Sequence, residues 1–408
     1  MWILFLTSAW GADVSGYAEM QGRWVSGVEG TPWQATQRFR PSLEAEAASW
    51  VRLHVTVEAT YWEGRDEALE AYALVEEEVG TVLETSGCPL TEPESGIHDI
   101  DEVLGVERLY ADFYTSFADI RVGRQALNWG SALGLNPTDL FAEVLVAEPW
   151  RERRGVNAIR ANFPVGDRHQ VVAVVAIDDD FREGRIGLRP TVNFLETDIS
   201  LVASADTEGE IFTGLDLKGQ LGVGWWLEGG VVLEEELEPQ VAAGLDYSFA
   251  LMDGLQLALQ YSYDATGVED PFFYQLSDRG QLLLPLPECD AIEELQALTG
   301  DREQRFTIGQ HYGMGVGQLS LNESWQVSAT VLTNLEDQST LAIPGLTWSP
   351  GDRWTVDGGA QLLLGDGEFS PTDQMTTVSF GEGFSAVDLD LGGLVPEWVA
   401  YVYARYAL

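Results

Sequence analysis

Residues 50–62 read WVRLHVTVEATYW, and their alternation decides the class of fold. One face of this run is apolar or aromatic (Val51, Leu53, Val55, Val57, Tyr61), and the other is polar or charged (Arg52, His54, Thr56, Glu58, Thr60). Successive side chains of a β-strand point to opposite faces, so the run predicts a strand with one apolar and one polar face. About ten residues is the length that a tilted strand needs to cross a bilayer. We therefore expect a membrane-spanning strand here.

Runs with the same alternation recur along the whole chain, and about 18 of them can be counted. Four connections are long, 63–104, 129–152, 265–303 and 365–395, and they are the third, fifth, thirteenth and seventeenth links. All four are odd-numbered, so all four lie at the same end of an antiparallel sheet. The even-numbered links are short. This pattern predicts an all-β fold: a single transmembrane antiparallel β-barrel over residues 13–408, with 16–18 strands, long outer loops and short periplasmic turns.

The composition excludes several classes of function. The net charge of −44 comes from 66 acidic and 22 basic residues, which argues against nucleic-acid binding. The two cysteines and four histidines show no metal-ligand spacing, so neither a metal nor another cofactor is expected. No Gly-x-Ser-x-Gly motif is present, and we do not expect an enzyme.

The two ends of the chain carry features typical of exported barrels. Residues 1–12 form an apolar segment that ends in small residues, which indicates the end of a signal peptide. The last run, WVAYVYARYAL, alternates and is rich in aromatic residues, as is typical of the final strand of bacterial outer-membrane barrels. We therefore expect the bacterial outer membrane as location, with lipid and lipopolysaccharide as surroundings.

Arginines are concentrated on the polar faces of the first strands. They predict a basic wall that attracts anions; the alternative is a ladder of ion pairs that only packs the wall. Arg121 and Arg124 can both face inward only if their strand is bulged. The inward positions of the later strands are neutral or acidic. The candidate pore-lining residues are Arg23, Arg38, Arg40, Arg52, Arg108, Arg121, Arg124, Arg154 and Arg160.

The fifth link is too apolar for a loop exposed to water. Folding into the barrel would bury its apolar residues and bring its acidic residues near the arginines, which predicts a constriction. The alternative is a loop that covers the barrel from outside. The candidate constriction residues are Trp129, Asn136, Asp139, Phe141 and Glu143.

The third and thirteenth links carry many acidic residues and one cysteine each. The acidic side chains either bind divalent cations shared with lipopolysaccharide or keep these loops hydrated. Cys88 and Cys289 would lie at the same end of the barrel, outside the cell, where a disulfide is chemically permitted.

The sequence IRVGRQALNWGSALGLNPTDLF, followed by RERRGVNAIRANF, resembles a pattern of Gram-negative outer-membrane porins, with alginate-export-like porins nearest. The positions that fit the pattern are Arg124, Gln125, Trp129, Asn136, Pro137, Asp139 and Arg154. The resemblance implies an 18-stranded barrel with an arginine-rich interior, and favours a monomer over a trimer. The predicted function is an outer-membrane channel that passes small or anionic solutes by diffusion. The alternative is a structural or adhesive barrel whose acidic loops bind partners or divalent cations.

Overall fold

The computed structural model describes residues 12–26, 33–64, 104–141, 152–178, 182–207, 209–233, 237–267, 307, 309–365, 367–369, 375–378, 387–390 and 398–408. Three of the sequence predictions lie outside these residues: nearly all of the signal peptide, Glu143, and the pairing of Cys88 with Cys289. Within the described part of the chain, no helix is long and apolar enough to cross a membrane.

The described residues contain 20 strands. Their bounds are β1 Asp13–Val25, β2 Trp33–Ala48, β3 Val51–Gly64, β4 Leu104–Tyr114, β5 Asp119–Gln125, β6 Val156–Val165, β7 His169–Ile177, β8 Gly184–Phe194, β9 Thr197–Asp206, β10 Ile211–Gln220, β11 Gly224–Val232, β12 Glu238–Phe249, β13 Leu255–Asp264, β14 His311–Asn322, β15 Trp325–Asn334, β16 Thr340–Gly351, β17 Trp354–Leu364, β18 Met375–Val378, β19 Val387–Asp390 and β20 Trp398–Ala407.

Eighteen of these strands form one closed antiparallel barrel. Each barrel strand pairs with its neighbours in the chain, and β20 closes the barrel by pairing with both β17 and β1. Closure leaves no strand edge, which a membrane requires of any β structure. The predicted fold class is therefore confirmed. We call the end with the even-numbered links the short-turn end and the opposite end the long-link end.

The sequence places most strand bounds within a few residues, with three differences. The fourteenth strand was expected over 304–317, and the structure has it at His311–Asn322. The fifth strand ends at Gln125 rather than near residue 128, because the chain leaves the wall there and enters the link. In addition, β18 and β19 pair separately inside the connection 365–395, which was expected to lack strands. None of these differences changes the parity of the links.

The two faces of the barrel differ as the alternation predicts. In one row across β5–β8, Val122, Ile159, Val175 and Ile186 are paired in register and all are exposed. Such a large apolar surface is not stable in water, but it fits the hydrocarbon core of a membrane. Aromatic residues lie near the strand ends, as in the stacked pair Trp325 and Trp348, whose ring centroids are 5.7 Å apart.

Candidate functional site

The fifth link leaves the barrel wall well below the long-link end. Gln125 is paired with Val156, whereas the neighbouring β4 extends beyond its pairing of Leu109 with Arg124 as far as Leu104. The Gln125 side chain is fully buried, and its amide donates to the Ala158 carbonyl oxygen at 3.0 Å. The link therefore starts inside the barrel rather than at its rim.

Two aromatic residues of the link pack against the inner wall. Trp129 and Phe141 are buried, and their ring centroids are 4.7 Å apart in an edge-to-face arrangement. They join a cluster with inward residues of β6, β7, β9 and β10. Gly187 provides the space, because a Cβ atom there would lie 2.6 Å from the Trp129 ring and 2.8 Å from the Phe141 ring. Both rings therefore pack closely against Gly187.

Glu228 on β11 and Gln260 on β13 bind the backbone of the link; we call this pair the Glu228–Gln260 anchor. Glu228 is 1% exposed and accepts hydrogen bonds from the backbone N–H groups of Ser131 and Ala132 and, at 2.8 Å, from the Thr138 hydroxyl. These donors satisfy a carboxylate that burial would otherwise leave unpaired.

The Gln260 side-chain amide both accepts a hydrogen bond from the link and donates hydrogen bonds to it. Its Oε1 accepts from the Leu133 N–H at 2.6 Å, and its Nε2 donates to the carbonyl oxygens of Leu133 at 2.8 Å and Leu135 at 2.9 Å. Trp226 Nε1 also donates to Oε1 at 3.0 Å, which fixes the orientation of the amide. The anchor therefore holds the link at several consecutive residues.

The remaining apolar residues of the link contact a second cluster. Leu133 and Leu135 pack against buried residues of β14–β16 and β20, together with Phe369 from the start of the last link. Glu368 beside it accepts hydrogen bonds from the Tyr312 hydroxyl at 2.6 Å and the Asn334 side chain at 2.7 Å. The described part of the link thus spans the barrel interior, from the β6–β10 side to β14–β16.

A turn around Asn136 shapes the link. Its Nδ2 donates to the Trp129 carbonyl oxygen at 3.0 Å, and its Oδ1 accepts from the Thr138 N–H at 3.1 Å. Asp139 accepts from the Trp129 N–H at 3.3 Å and forms an ion pair with Arg153. Burial raises the pKa of the Asp139 carboxyl, and the hydrogen bond from Arg153 offsets part of that rise. The turn therefore joins both ends of the link.

Inward-facing arginines line the opposite side of the interior, on β20 and β1–β6; we call this region the arginine wall. At its centre, Arg38 contacts Glu19 at 3.0 Å and Glu58 at 3.1 Å, Arg405 contacts Glu19 at 2.7 Å, and Arg40 contacts Glu58 at 3.6 Å. Three guanidinium groups thus share two wall carboxylates, and Arg40 also reaches Glu152 of the link.

The other candidate arginines differ in their surroundings. Arg52 pairs with Glu46 at 3.2 Å, Arg121 with Asp112 at 2.7 Å, and Arg108 donates to the carbonyl oxygens of Glu107 and Arg153. Arg23 lies in register between Gln34 and Tyr401, and Arg160 lies opposite Arg121. Arg154 is an exposed residue of the link.

Arg124 differs from the other strand arginines. Its register partner Leu109 is exposed on the outer face, and the pairing of β5 with β4 and β6 is continuous. Arg121 faces inward, where it pairs with Asp112, whereas the Arg124 side chain lies beside Gly155 with its Nε buried. That Arg124 lines the pore stays a prediction.

Several residues of this interior were not singled out as site residues from the sequence. Arg405 completes the centre of the arginine wall from the last strand, and its alternation with Tyr403 and Tyr401 could have indicated this. Glu228 and Gln260 were recognised only as inward polar positions. Nothing in the sequence connects them with the link, because more than 90 residues separate each from its partners.

Comparison with known proteins gives a fold but no family. No protein-family model matches the sequence, and no curated protein matches it. Solved structures do match. Pseudomonas aeruginosa OpdQ has a TM-score of 0.56 at 7% identity, with 97% of this chain and 98% of that chain covered. P. aeruginosa OccK2 (OpdF), solved in complex with glucuronate, has a TM-score of 0.53 at 12% identity, with the same coverage of both chains.

A third similar structure has a different printed role. Wzi of Escherichia coli, described as an outer-membrane, carbohydrate-binding β-barrel involved in group 1 capsule assembly, has a TM-score of 0.51 at 9% identity, with 99% of this chain and 86% of that chain covered. These likenesses show that the chain shares the fold of these outer-membrane β-barrels, in agreement with its 18-stranded sheet.

Proposed function

We propose that this protein is an outer-membrane channel that passes small anionic solutes by diffusion, between the arginine wall and an inward-folded fifth link. The observation that carries the proposal is the hydrogen bonding of the link to the Glu228–Gln260 anchor. This position narrows the interior and covers inward polar residues of β11 and β13. It leaves the arginine wall as the charged surface beside the remaining space.

The charge balance of the arginine wall supports a preference for anions. Arg38, Arg40 and Arg405 are balanced by Glu19, Glu58 and Glu152, whereas Arg160 lies opposite Arg121 and contacts no described carboxylate. A fixed excess of one sign of charge in a narrow passage attracts ions of the opposite sign. Glu228 on the other side is buried under the link and does not face a passing solute. The net charge of −44 therefore does not determine the charge along the path.

The apolar outer face supports contact with lipid and lipopolysaccharide in the Gram-negative outer membrane, and we favour a monomer.

A small carboxylate is the solute class that we favour. OccK2, a barrel of similar fold, was solved in complex with glucuronate, which carries a carboxylate. A carboxylate is the kind of solute that paired guanidinium groups recognise.

Planar-bilayer recordings test the proposal. We expect the purified full chain to open a channel whose reversal potential in a KCl gradient indicates anion preference. The double variant Arg38→Gln/Arg40→Gln should shift that potential toward the cation value. Arg353→Gln removes the same kind of charge from an exposed position at the short-turn end and should change little.

Insertion without any open channel would contradict the proposal. It would favour the structural or adhesive alternative, in which the long links bind a partner as the carbohydrate-binding barrel of E. coli binds its ligand. An open channel with the same ion selectivity in the double variant would support the channel function but contradict the role of the arginine wall.

A further inference from the structure

One row of inward-facing residues crosses five strands near the short-turn end. Its register partners are Glu46 with Arg52, Arg52 with Asp112, Asp112 with Arg121, and Arg121 with Arg160. Opposite charges placed directly across strands stabilise a sheet. The row follows this rule over its first four residues, where the sign alternates at every strand.

The alternation fails at the fifth residue. Arg160 lies directly opposite Arg121, and its other register partner is the buried Val174. Like charges directly opposite each other destabilise a strand pair. Asp112 compensates the two arginines unequally, because both of its carboxylate oxygens accept from Arg121, at 2.7 and 2.9 Å, and neither accepts from Arg160.

Arg160 differs from the other inward arginines in its bonding. Among the residues that the structure describes, its side chain makes no hydrogen bond and no ion pair, whereas Arg38, Arg40, Arg52, Arg121 and Arg405 each contact a carboxylate. The side chain is only half-buried, so its guanidinium remains reachable from the interior. A planar guanidinium with free donors is suited to bind an oxyanion in a bidentate manner.

Arg121 and Arg160 lie beside the link, at a position that a solute reaches on its way through the barrel. Arg160 lies four residues along β6 from Val156, where the link rejoins the wall, in the direction of the short turn 166–168. A solute that moves past the link toward the short-turn end therefore meets the pair next. Arg121 is held in place by Asp112 and by the Tyr110 ring, whose centroid is 3.9 Å from its guanidinium carbon.

We propose that Arg121 and Arg160 form a binding site for a small carboxylate on the short-turn side of the link. The bound carboxylate supplies the negative charge that the row lacks where Arg121 and Arg160 oppose each other. The site rests on the proposed channel function for its access, but its binding chemistry depends only on the two arginines.

The first test measures binding without requiring conduction. The purified full chain in detergent is melted with increasing acetate, or with acetamide as the neutral isostere, at constant ionic strength. Acetate should raise the melting temperature of the unmodified protein, and acetamide should not. Arg160→Gln should melt higher than the unmodified protein without acetate, because the like-charge pair is gone, and should bind acetate about tenfold more weakly. Arg353→Gln is the control and should respond to acetate as the unmodified protein does.

The second test measures conductance in potassium acetate. The unmodified channel should saturate as the acetate concentration rises, and Arg160→Gln should raise the half-saturating concentration by about tenfold. Equal acetate responses of Arg160→Gln and the unmodified protein in both tests would overturn the site. A melting response to acetate in a protein that conducts no ions would contradict the channel function and leave the site standing.

Discussion

Two walls of the same barrel use their inward polar residues in opposite ways. On the arginine wall, charged side chains pair mainly with each other across neighbouring strands; Arg40 and Glu19 are buried, whereas the Arg405 side chain stays 26% exposed. On the wall formed by β11 and β13, Glu228 and Gln260 pair with the backbone of the link and are buried. A polar side chain that faces the barrel interior is therefore not necessarily part of the pore lining. A polar side chain lines the path only where the link leaves it uncovered.

Removing the Glu228–Gln260 anchor should have the largest effect on this difference between the walls. The double variant Glu228→Ala/Gln260→Ala leaves the partly buried N–H groups of Ser131, Ala132 and Leu133 without these acceptors, which costs about 3–5 kcal/mol. We expect a lower melting temperature in detergent, together with a several-fold larger and noisier single-channel conductance. Asp246→Asn, an exposed inward carboxylate on β12, is the matched control and should do neither. Unchanged conductance in the double variant would show that the link does not narrow the path.

Replacing Gly187, against which the two aromatic rings pack, should have the next largest effect on stability and conductance. Gly187→Val places side-chain atoms where Trp129 and Phe141 now lie, and such overpacking costs about 1–3 kcal/mol. The link should shift away from the wall, so current fluctuations should increase. Gly351→Val, at a position where a Cβ would meet nothing within 4 Å, is the control. Identical melting and noise for both variants would contradict the role of Gly187.

Weakening the turn of the link should have a smaller effect. Asn136→Ala removes the hydrogen bonds to the Trp129 carbonyl and from the Thr138 N–H, at a cost of about 1 kcal/mol. Because the anchor still holds the link, the mean conductance should stay near that of the unmodified protein, and only the noise should rise. A change in conductance as large as that of the anchor variant would mean that the turn, rather than the anchor, positions the link.

Replacing Arg405 of the arginine wall should have the smallest effect on stability. Arg405→Gln removes the charge of one of the two partners of the buried Glu19 and leaves Arg38 in place, which costs about 0.5–1 kcal/mol. The reversal potential should move toward the cation value, by less than in the Arg38→Gln/Arg40→Gln variant. A shift toward the anion value would contradict the assignment of Arg405 to the lining.

The fold followed from the sequence because strand length, alternation and link parity are local properties. The run 50–62 is a strand in the structure, and the even-numbered links are short throughout. The interior was less predictable. His311 was expected to face the interior, but it lies on the outer face, paired with Tyr263 and bonded to the Tyr261 hydroxyl at 2.7 Å. The strand was expected over 304–317 but begins only at His311, so the predicted bounds did not give the correct phase of the alternation.

The sequence by itself determined the class of fold, a count of 16–18 barrel strands and the side on which most residues lie, because a two-residue period needs no knowledge of neighbouring strands. The tertiary structure alone decided which residues oppose each other. The pairing of β5 with β4 and β6 set Arg121 between Asp112 and Arg160. The tertiary structure also decided that the link bonds to Glu228 and Gln260, since contacts between residues so distant in the chain exist only after the barrel has closed.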